Sequence, residues 1–244
     1  MPDLDWNRVM WNDHHPWPES GDEWSVRWGG PKAQWYGAIF PRIARWLPAR
    51  RTLEIAPGHG RWTQFLLRQT DDYWGVDLSP RAIERCRQRF SAYSRAHFAQ
   101  NDGRSLGAVA DASIDFAFSY DSMVHLELDV MGAYCGEILR KLTADGVAFV
   151  HHSNAANGVD ADNPNADARG KSVSSGAVKQ AIEASGGRIL IQEEINWGGV
   201  ARIDCMTTFC RAEAYAHIRP LQIQNDSFTL EANLIRQVQS HYHR

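Results

Sequence analysis

The sequence predicts an α/β fold, a doubly wound and mostly parallel sheet with helices on both faces. Three observations carry that prediction. Short apolar runs alternate with amphipathic stretches along most of the chain. One run is followed directly by a tight turn, Pro57-Gly58-His59-Gly60, that leads into a helix, and the next run closes on an acid, Asp77. The chain of 244 residues, 43% of them hydrophobic, is long enough for one such domain with extensions.

In chain order the pattern predicts a helix from Gln34 to Leu47 that Pro41 bends or splits. Strands follow at 52–56, 73–77, 96–99, 114–119, 146–152, 188–194 and 201–210, with helices at 61–69, 80–90, 130–142 and 174–185. Trp62, Phe65 and Leu66 share one stripe, as do Met131, Tyr134, Ile138 and Leu142. Ser79 is a natural N-cap, with Pro80 in the first turn. Past Arg211 the chain reads as coil and then as a helix from Leu230 to Tyr242. Three regions result: a cover (1–33) holding Trp6, Trp11, Trp17, Trp24 and Trp28, a core domain (34–211), and a C-terminal helical appendage (212–244). The aperiodic stretch 153–172, with Asp160, Asp162 and Asp167, reads as a lid or a surface loop.

Glycines in a strand-to-helix turn let a ligand approach backbone that a side chain would block. That signal alone fits any nucleotide. A dinucleotide fingerprint, however, needs a further glycine where this chain has Arg61. Glu54 lies inside the strand before the turn, where a charge needs a partner. Asp77 comes seventeen positions after Gly60, where a carboxylate can accept both hydroxyls of a ribose; capping the next helix is its alternative role.

Leu53-Glu54-Ile55-Ala56-Pro57-Gly58-His59-Gly60 with Gly75-Val76-Asp77 resembles the cofactor cradle of class I, Rossmann-like S-adenosylmethionine-dependent methyltransferases. The likeness extends over about residues 34–210, through Ile114 to Asp121 as a fourth strand and Leu139 to Val150 as the next helix and strand. It implies a seven-stranded sheet in the order 3-2-1-4-5-7-6 with the last strand antiparallel. It also implies S-adenosylmethionine as cofactor and S-adenosylhomocysteine as product. The implied cofactor contacts are Glu54, Ala56, Gly58, Gly60, Trp62, Thr63, Asp77, Leu78, Asp102, Gly103, Ser119 and Tyr120. Asn101-Asp102-Gly103 is equally a plain turn sequence.

Ligands of open α/β sheets bind at the carboxyl ends of the strands. On the implied topology that edge gathers Tyr120, Asp121, His125, His151, His152, Asn196, Trp197, Arg202 and Asp204. Methyl transfer needs alignment in a dry site and, for a hydroxyl acceptor, a base. His125 and His152, with Asp121, are the expected catalytic groups; satisfied structural histidines are the bland alternative. Because neighbouring strand residues point to opposite faces, His151 and His152 cannot both face the site unless the strand has ended before them. Asp121, His152 and Asp204 as holders of a divalent cation are a less favoured alternative, and no metal site is assigned. Trp24, Trp28 and Trp35 are expected to close over the site as a lid, with a packing layer against the sheet's edge as the alternative reading of this segment.

Trp28-Gly29-Gly30 and His151-His152-Ser153-Asn154 resemble small-molecule O-methyltransferases acting on sugars or secondary metabolites. N-methylation, a nicotinamide-dependent oxidoreductase and a non-catalytic cofactor binder are the rivals. Ser119-Tyr120-Asp121-Ser122 stands where amino-directed nucleic-acid methyltransferases carry a Pro-Pro-Tyr motif, and a net charge of −3 gives no electrostatic footprint for nucleic acid or an anionic membrane. The four cysteines match no zinc or redox spacing, and no apolar stretch reaches membrane-spanning length. A cytoplasmic enzyme with a small-molecule acceptor is expected, with room for a homo-oligomer.

Overall fold

The computed structural model describes residues 3–158 and 168–238. Its centre is a sheet of eight strands: β1 (Ala49–Ile55), β2 (Thr70–Asp77), β3 (Ala96–Gln100), β4 (Ile114–Met123), β5 (Leu142–Ser153), β6 (Gly187–Trp197), β7 (Val200–Arg211) and β8 (Leu221–Asn225). Their order is β3-β2-β1-β4-β5-β7-β6-β8, with β7 antiparallel to β5 and β6 and the other pairings parallel. The expected seven-strand order is present. The eighth strand corrects the coil reading past Arg211: Leu221-Gln222-Ile223-Gln224-Asn225 pairs with Ile191 to Ile195 at the sheet's edge. Its short, half-polar pattern is too weak to be read as a strand without its partner.

Before the sheet come α1 (Leu4–Val9), α2 (Pro31–Gln34) and α3 (Phe40–Ile43), linked by 3-10 and π turns. The widened turn at Trp35–Ile39 precedes Pro41, which has no N–H to donate and so cannot continue a regular ladder. The remaining helices are α4 (Thr63–Leu66), α5 (Pro80–Arg89), α6 (Leu128–Lys141), α7 (Ser175–Ala184) and α8 (Phe228–Val238). As expected, Ser79 caps α5, its Oγ accepting from the Ala82 N–H at 3.1 Å. The last residues of the expected final helix, and Asp160, Asp162 and Asp167, lie outside the described residues.

Strand alternation divides the interior into two apolar layers. Phe116, Phe118, Tyr120 and Phe149 pack with Trp35, Ile39 and Ile43 from the helical segment before β1 and with Phe228 of α8. Leu53, Ile55, Ala117 and Val150 pack with Met131, Ile138, Val178 and Ile182 from α6 and α7. Arg42 ties the first layer together, donating to Glu193 at 2.8 and 2.7 Å and to Glu231 at 3.2 Å. Among the described residues no helix is long and apolar enough to cross a membrane.

Candidate active site

A cavity of about 360 Å³ runs along the carboxyl ends of β1, β2 and β4 and beneath the N-terminal cover, a size usual for small-molecule sites. At its first end the backbone leaves β1 through left-handed conformations at Ala56 (φ 56°), Gly58 (φ 56°) and Gly60 (φ 89°). A Cβ on Gly60 would collide with the ring of Phe90, so this glycine itself provides the close helix–strand approach. Asp77 bridges the turn and the next helix. Its Oδ2 accepts from Gly58 N–H at 3.0 Å and its Oδ1 from Ser79 N–H at 2.8 Å. Burial raises its pKa to about 6 against the pull of those backbone donors.

Glu54 lies behind this end and does not line the cavity. Its Oε2 accepts from the hydroxyls of Thr63 (2.7 Å) and Tyr73 (2.5 Å), which meets the need of a charge inside a strand, and burial raises it to about 7. Tyr73 escaped the sequence reading; an acid in a strand signals a partner without naming it. Ala56, Gly58, Trp62, Asp77, Leu78 and Tyr120 line the cavity. Gly60, Thr63, Asp102, Gly103 and Ser119 are not among its lining residues. Asp102 is exposed and folds back on its own loop, accepting from Arg104 N–H (2.9 Å) and Ser105 N–H (2.7 Å), the geometry of the plain-turn alternative. Ser119 donates to the Ile55 carbonyl at 3.0 Å.

At the other end β4 shifts register between Ser119 and Met123, and Asp121 takes a left-handed φ of 62°. Such a conformation persists only where neighbours hold it. Arg61 donates to Asp121 Oδ2 at 2.6 Å, and His151 Nδ1 stands 3.2 Å from Asp121 Oδ1. His151 Nε2 is 3.4 Å from Asp204, whose two oxygens receive Arg169 at 2.9 and 2.7 Å. The result is a buried row, Arg61, Asp121, His151, Asp204 and Arg169, in which two carboxylates alternate with two guanidinium groups and a histidine that adds charge only when protonated. Burial would raise Asp121, but Arg61 and His151 bring it down to about 2. Asp204 is held well below the carboxylate range by Arg169 and His151 against burial, and the two carboxylates raise His151 although burial opposes this.

His125 lines the cavity, its Nδ1 2.5 Å from the Ala168 carbonyl and its ring centroid 4.9 Å from that of Trp11. A donating Nδ1 leaves Nε2 as an unprotonated acceptor, and burial lowers the ring to about 4. His152 is corrected. It lies on the opposite face of β5 with both nitrogens engaged, Nδ1 2.7 Å from the Ser153 carbonyl and Nε2 2.8 Å from Thr207 Oγ1, and it does not line the cavity. The cation set that included His152 does not come together. Among the described residues no three of His, Cys, Asp and Glu form a group that could hold a metal ion.

The cover supplies the cavity's roof, though partly with other tryptophans than expected. Trp24 lines the cavity together with Trp11 and Trp17, and Trp17 stacks on His59 with centroids 4.2 Å apart. Trp28 instead stacks on Trp197 at 5.1 Å, and Trp35 on Phe65 at 5.1 Å in the core. The guanidinium of Arg61 lies 4.3 Å from the ring of Trp62 and 5.4 Å from that of Trp24, linking floor and roof. Sequence reading took Arg61 only as a missing glycine and passed over Arg169, since their partners lie 60 and 35 positions away.

Residues 52–146 match the protein family described as "Methyltransferase domain". The structure is similar to a TehB-like SAM-dependent methyltransferase from Corynebacterium glutamicum, with a TM-score of 0.52 and 20% identity, over 74% of this chain and 87% of that one. It is also similar to the N-methyltransferase NodS from Bradyrhizobium japonicum, with a TM-score of 0.57 and 15% identity, over 75% of this chain and 98% of that one. A stretch of 66 residues is 36% identical to CymA of Salinispora arenicola, described as a probable non-canonical nonribosomal peptide synthetase; it makes up 26% of this chain and 1% of that protein. The fold is thus the Rossmann-like α/β fold of S-adenosylmethionine-dependent methyltransferases, extended by one edge strand.

Proposed function

We propose that the protein transfers a methyl group from S-adenosylmethionine to a hydroxyl of a small molecule, a sugar or another secondary metabolite. One observation carries this reading: a single cavity joins Asp77 and the Gly58 turn at one end to Asp121 and His125 at the other. The first end fits the cofactor. A carboxylate that has spent one acceptor site per oxygen on backbone N–H groups keeps capacity for a ribose diol, and the glycine turn brings bare backbone to the cavity wall. NodS, similar in fold, is also known in complex with S-adenosyl-L-homocysteine. When bound, the cofactor supplies a methyl group on a sulfonium, a leaving group already activated.

The chain's own residues have the remaining tasks. Asp77 and Leu78 hold the adenosine portion, and the tryptophan roof excludes water. Asp121, fixed by Arg61 and His151, shapes the floor, while Nε2 of His125 receives the acceptor's proton. N-methylation is the second reading, favoured by the likeness to NodS, since the same nitrogen accepts from an amine as well as from a hydroxyl. Incubation with methyl-labelled cofactor and a panel of hydroxylated metabolites tests the proposal. Label on an acceptor oxygen is expected; a protein that binds the cofactor and labels no acceptor contradicts it.

A further inference from the structure

His125 stands in the turn that follows β4, and a second segment, residues 168–172, lies against that turn. The Gly170 N–H donates to the Val124 carbonyl at 2.9 Å, and the Gly170 carbonyl accepts from Ser153 Oγ at 2.9 Å. A Cβ on Gly170 would collide with the Leu126 carbonyl, so glycine is what allows this approach. Glu127 fixes the far side, its carboxylate accepting from the N–H groups of Lys171 at 3.1 Å and Ser172 at 2.9 Å. On the near side the anchor is Arg169, whose guanidinium donates to both oxygens of the fully buried Asp204 at 2.9 and 2.7 Å. Ala168, next to it, makes one hydrogen bond among the described residues: its carbonyl lies 2.5 Å from His125 Nδ1.

That carbonyl selects a tautomer. A neutral imidazole carries its proton on either nitrogen and a carbonyl can only accept, so the Nδ1 that faces Ala168 holds the proton and Nε2 is left bare. Without the carbonyl the ring is free to carry its proton on Nε2, where it meets an acceptor hydroxyl as a donor and removes nothing from it. Burial lowers His125 to about 4 and keeps the ring neutral, so its surroundings decide between the two tautomers. Arg169 and Ala168 are consecutive, so the guanidinium that closes the buried row at Asp204 also sets the carbonyl that orients His125. Resting on the methyl-transfer reading, we propose that Arg169 is a positioning residue: it holds the Ala168 carbonyl on His125 Nδ1 and so keeps Nε2 bare for the acceptor. One buried row then fixes both the Asp121 carboxylate in the floor and, through two residues of backbone, the base above it.

Proton–nitrogen correlation spectra of the imidazole groups, recorded on the full chain labelled at its histidine nitrogens, test this without cofactor or acceptor; the His125→Gln spectrum identifies the His125 signals. At about pH 8, where an ordinary histidine is neutral, wild-type His125 is expected as the Nδ1–H tautomer. Arg169→Met should lower its ratio of Nδ1–H to Nε2–H at least about fivefold, the loss of one hydrogen bond. Arg169→Lys, which keeps the charge and loses the two-pronged contact, should move the ratio the same way and serves where the methionine variant does not fold. His152, held by Ser153 and Thr207 on the other face of β5, should keep its pattern throughout, which marks the chain as folded. Wild-type His125 in the Nε2–H form, or a ratio unmoved in a folded Arg169 variant, overturns the proposal and leaves methyl transfer itself untouched. A shifted ratio in a chain that labels no acceptor contradicts methyl transfer and leaves the placement of His125 by Arg169 standing.

Discussion

The two ends of the cavity hold their charges in opposite ways. At the Gly58 end, Asp77 and Glu54 have no cationic partner in hydrogen-bond contact among the described residues; backbone N–H groups and hydroxyls hold them, and burial pushes both upward, to about 6 and 7. At the acceptor end, Asp121 and Asp204 are clamped by Arg61, His151 and Arg169 and pulled downward. The first arrangement leaves carboxylate acceptor capacity for a ligand. The second spends its charge on rigidity, which suits a floor that aligns an acceptor.

The largest expected effect follows from breaking the clamp. Arg169→Met leaves Asp204 buried with only His151 beside it and should cost about 3 kcal/mol or more of stability, read as a lower urea midpoint at unchanged slope. A midpoint equal to the wild type would mean that the chain of charges is not structural. Next, His125→Ala should lower turnover about 100-fold with cofactor affinity intact. His152→Ala, on the far face, should leave turnover within about twofold and lower stability by about 1 kcal/mol through its lost hydrogen bonds. Equal losses of turnover in both variants would remove the distinction between the two faces of β5.

Asp77→Asn should weaken S-adenosylhomocysteine binding about 10- to 50-fold while moving the urea midpoint little, the reverse of the Arg169 variant. A further effect concerns pH. Glu54 has a folded pKa of about 7 against an ordinary 4.5, so the folded state binds its proton more tightly and this group's contribution is lost as pH rises from about 4.5 through 7. Glu54→Gln should therefore remove a decline of about 2 kcal/mol between pH 5 and pH 8, measured as the difference between variant and wild-type urea curves. A difference that is flat with pH would contradict the assignment.

The same contrast explains what could be read from the sequence. Local signals placed the strands, the Ser79 cap and the turn ahead of Arg61, because each depends on neighbours a few residues away. Asp77 was legible for the same reason: its position closes an apolar run. The acceptor end was legible only as a set of candidates, because Asp121, His151 and Asp204 meet through the pairing of β4, β5 and β7. The rule that one of His151 and His152 faces the site is visible in sequence. Which one does so depends on Phe149 lying in the layer beneath the cover, a long-range fact. Likewise a dense run of tryptophans announces a cover, but whether Trp17 or Trp28 roofs the cavity depends on how it folds back over Gly58 and Trp197.

On the proposed function, the Gly58 turn and Asp77 form a site for the S-adenosyl cofactor. Isothermal titration of the purified chain with S-adenosylhomocysteine and, separately, with a nicotinamide dinucleotide tests it most directly. Micromolar binding of the first and no measurable heat from the second is the predicted result; dinucleotide binding at equal or greater affinity, or silence with S-adenosylhomocysteine, would contradict it.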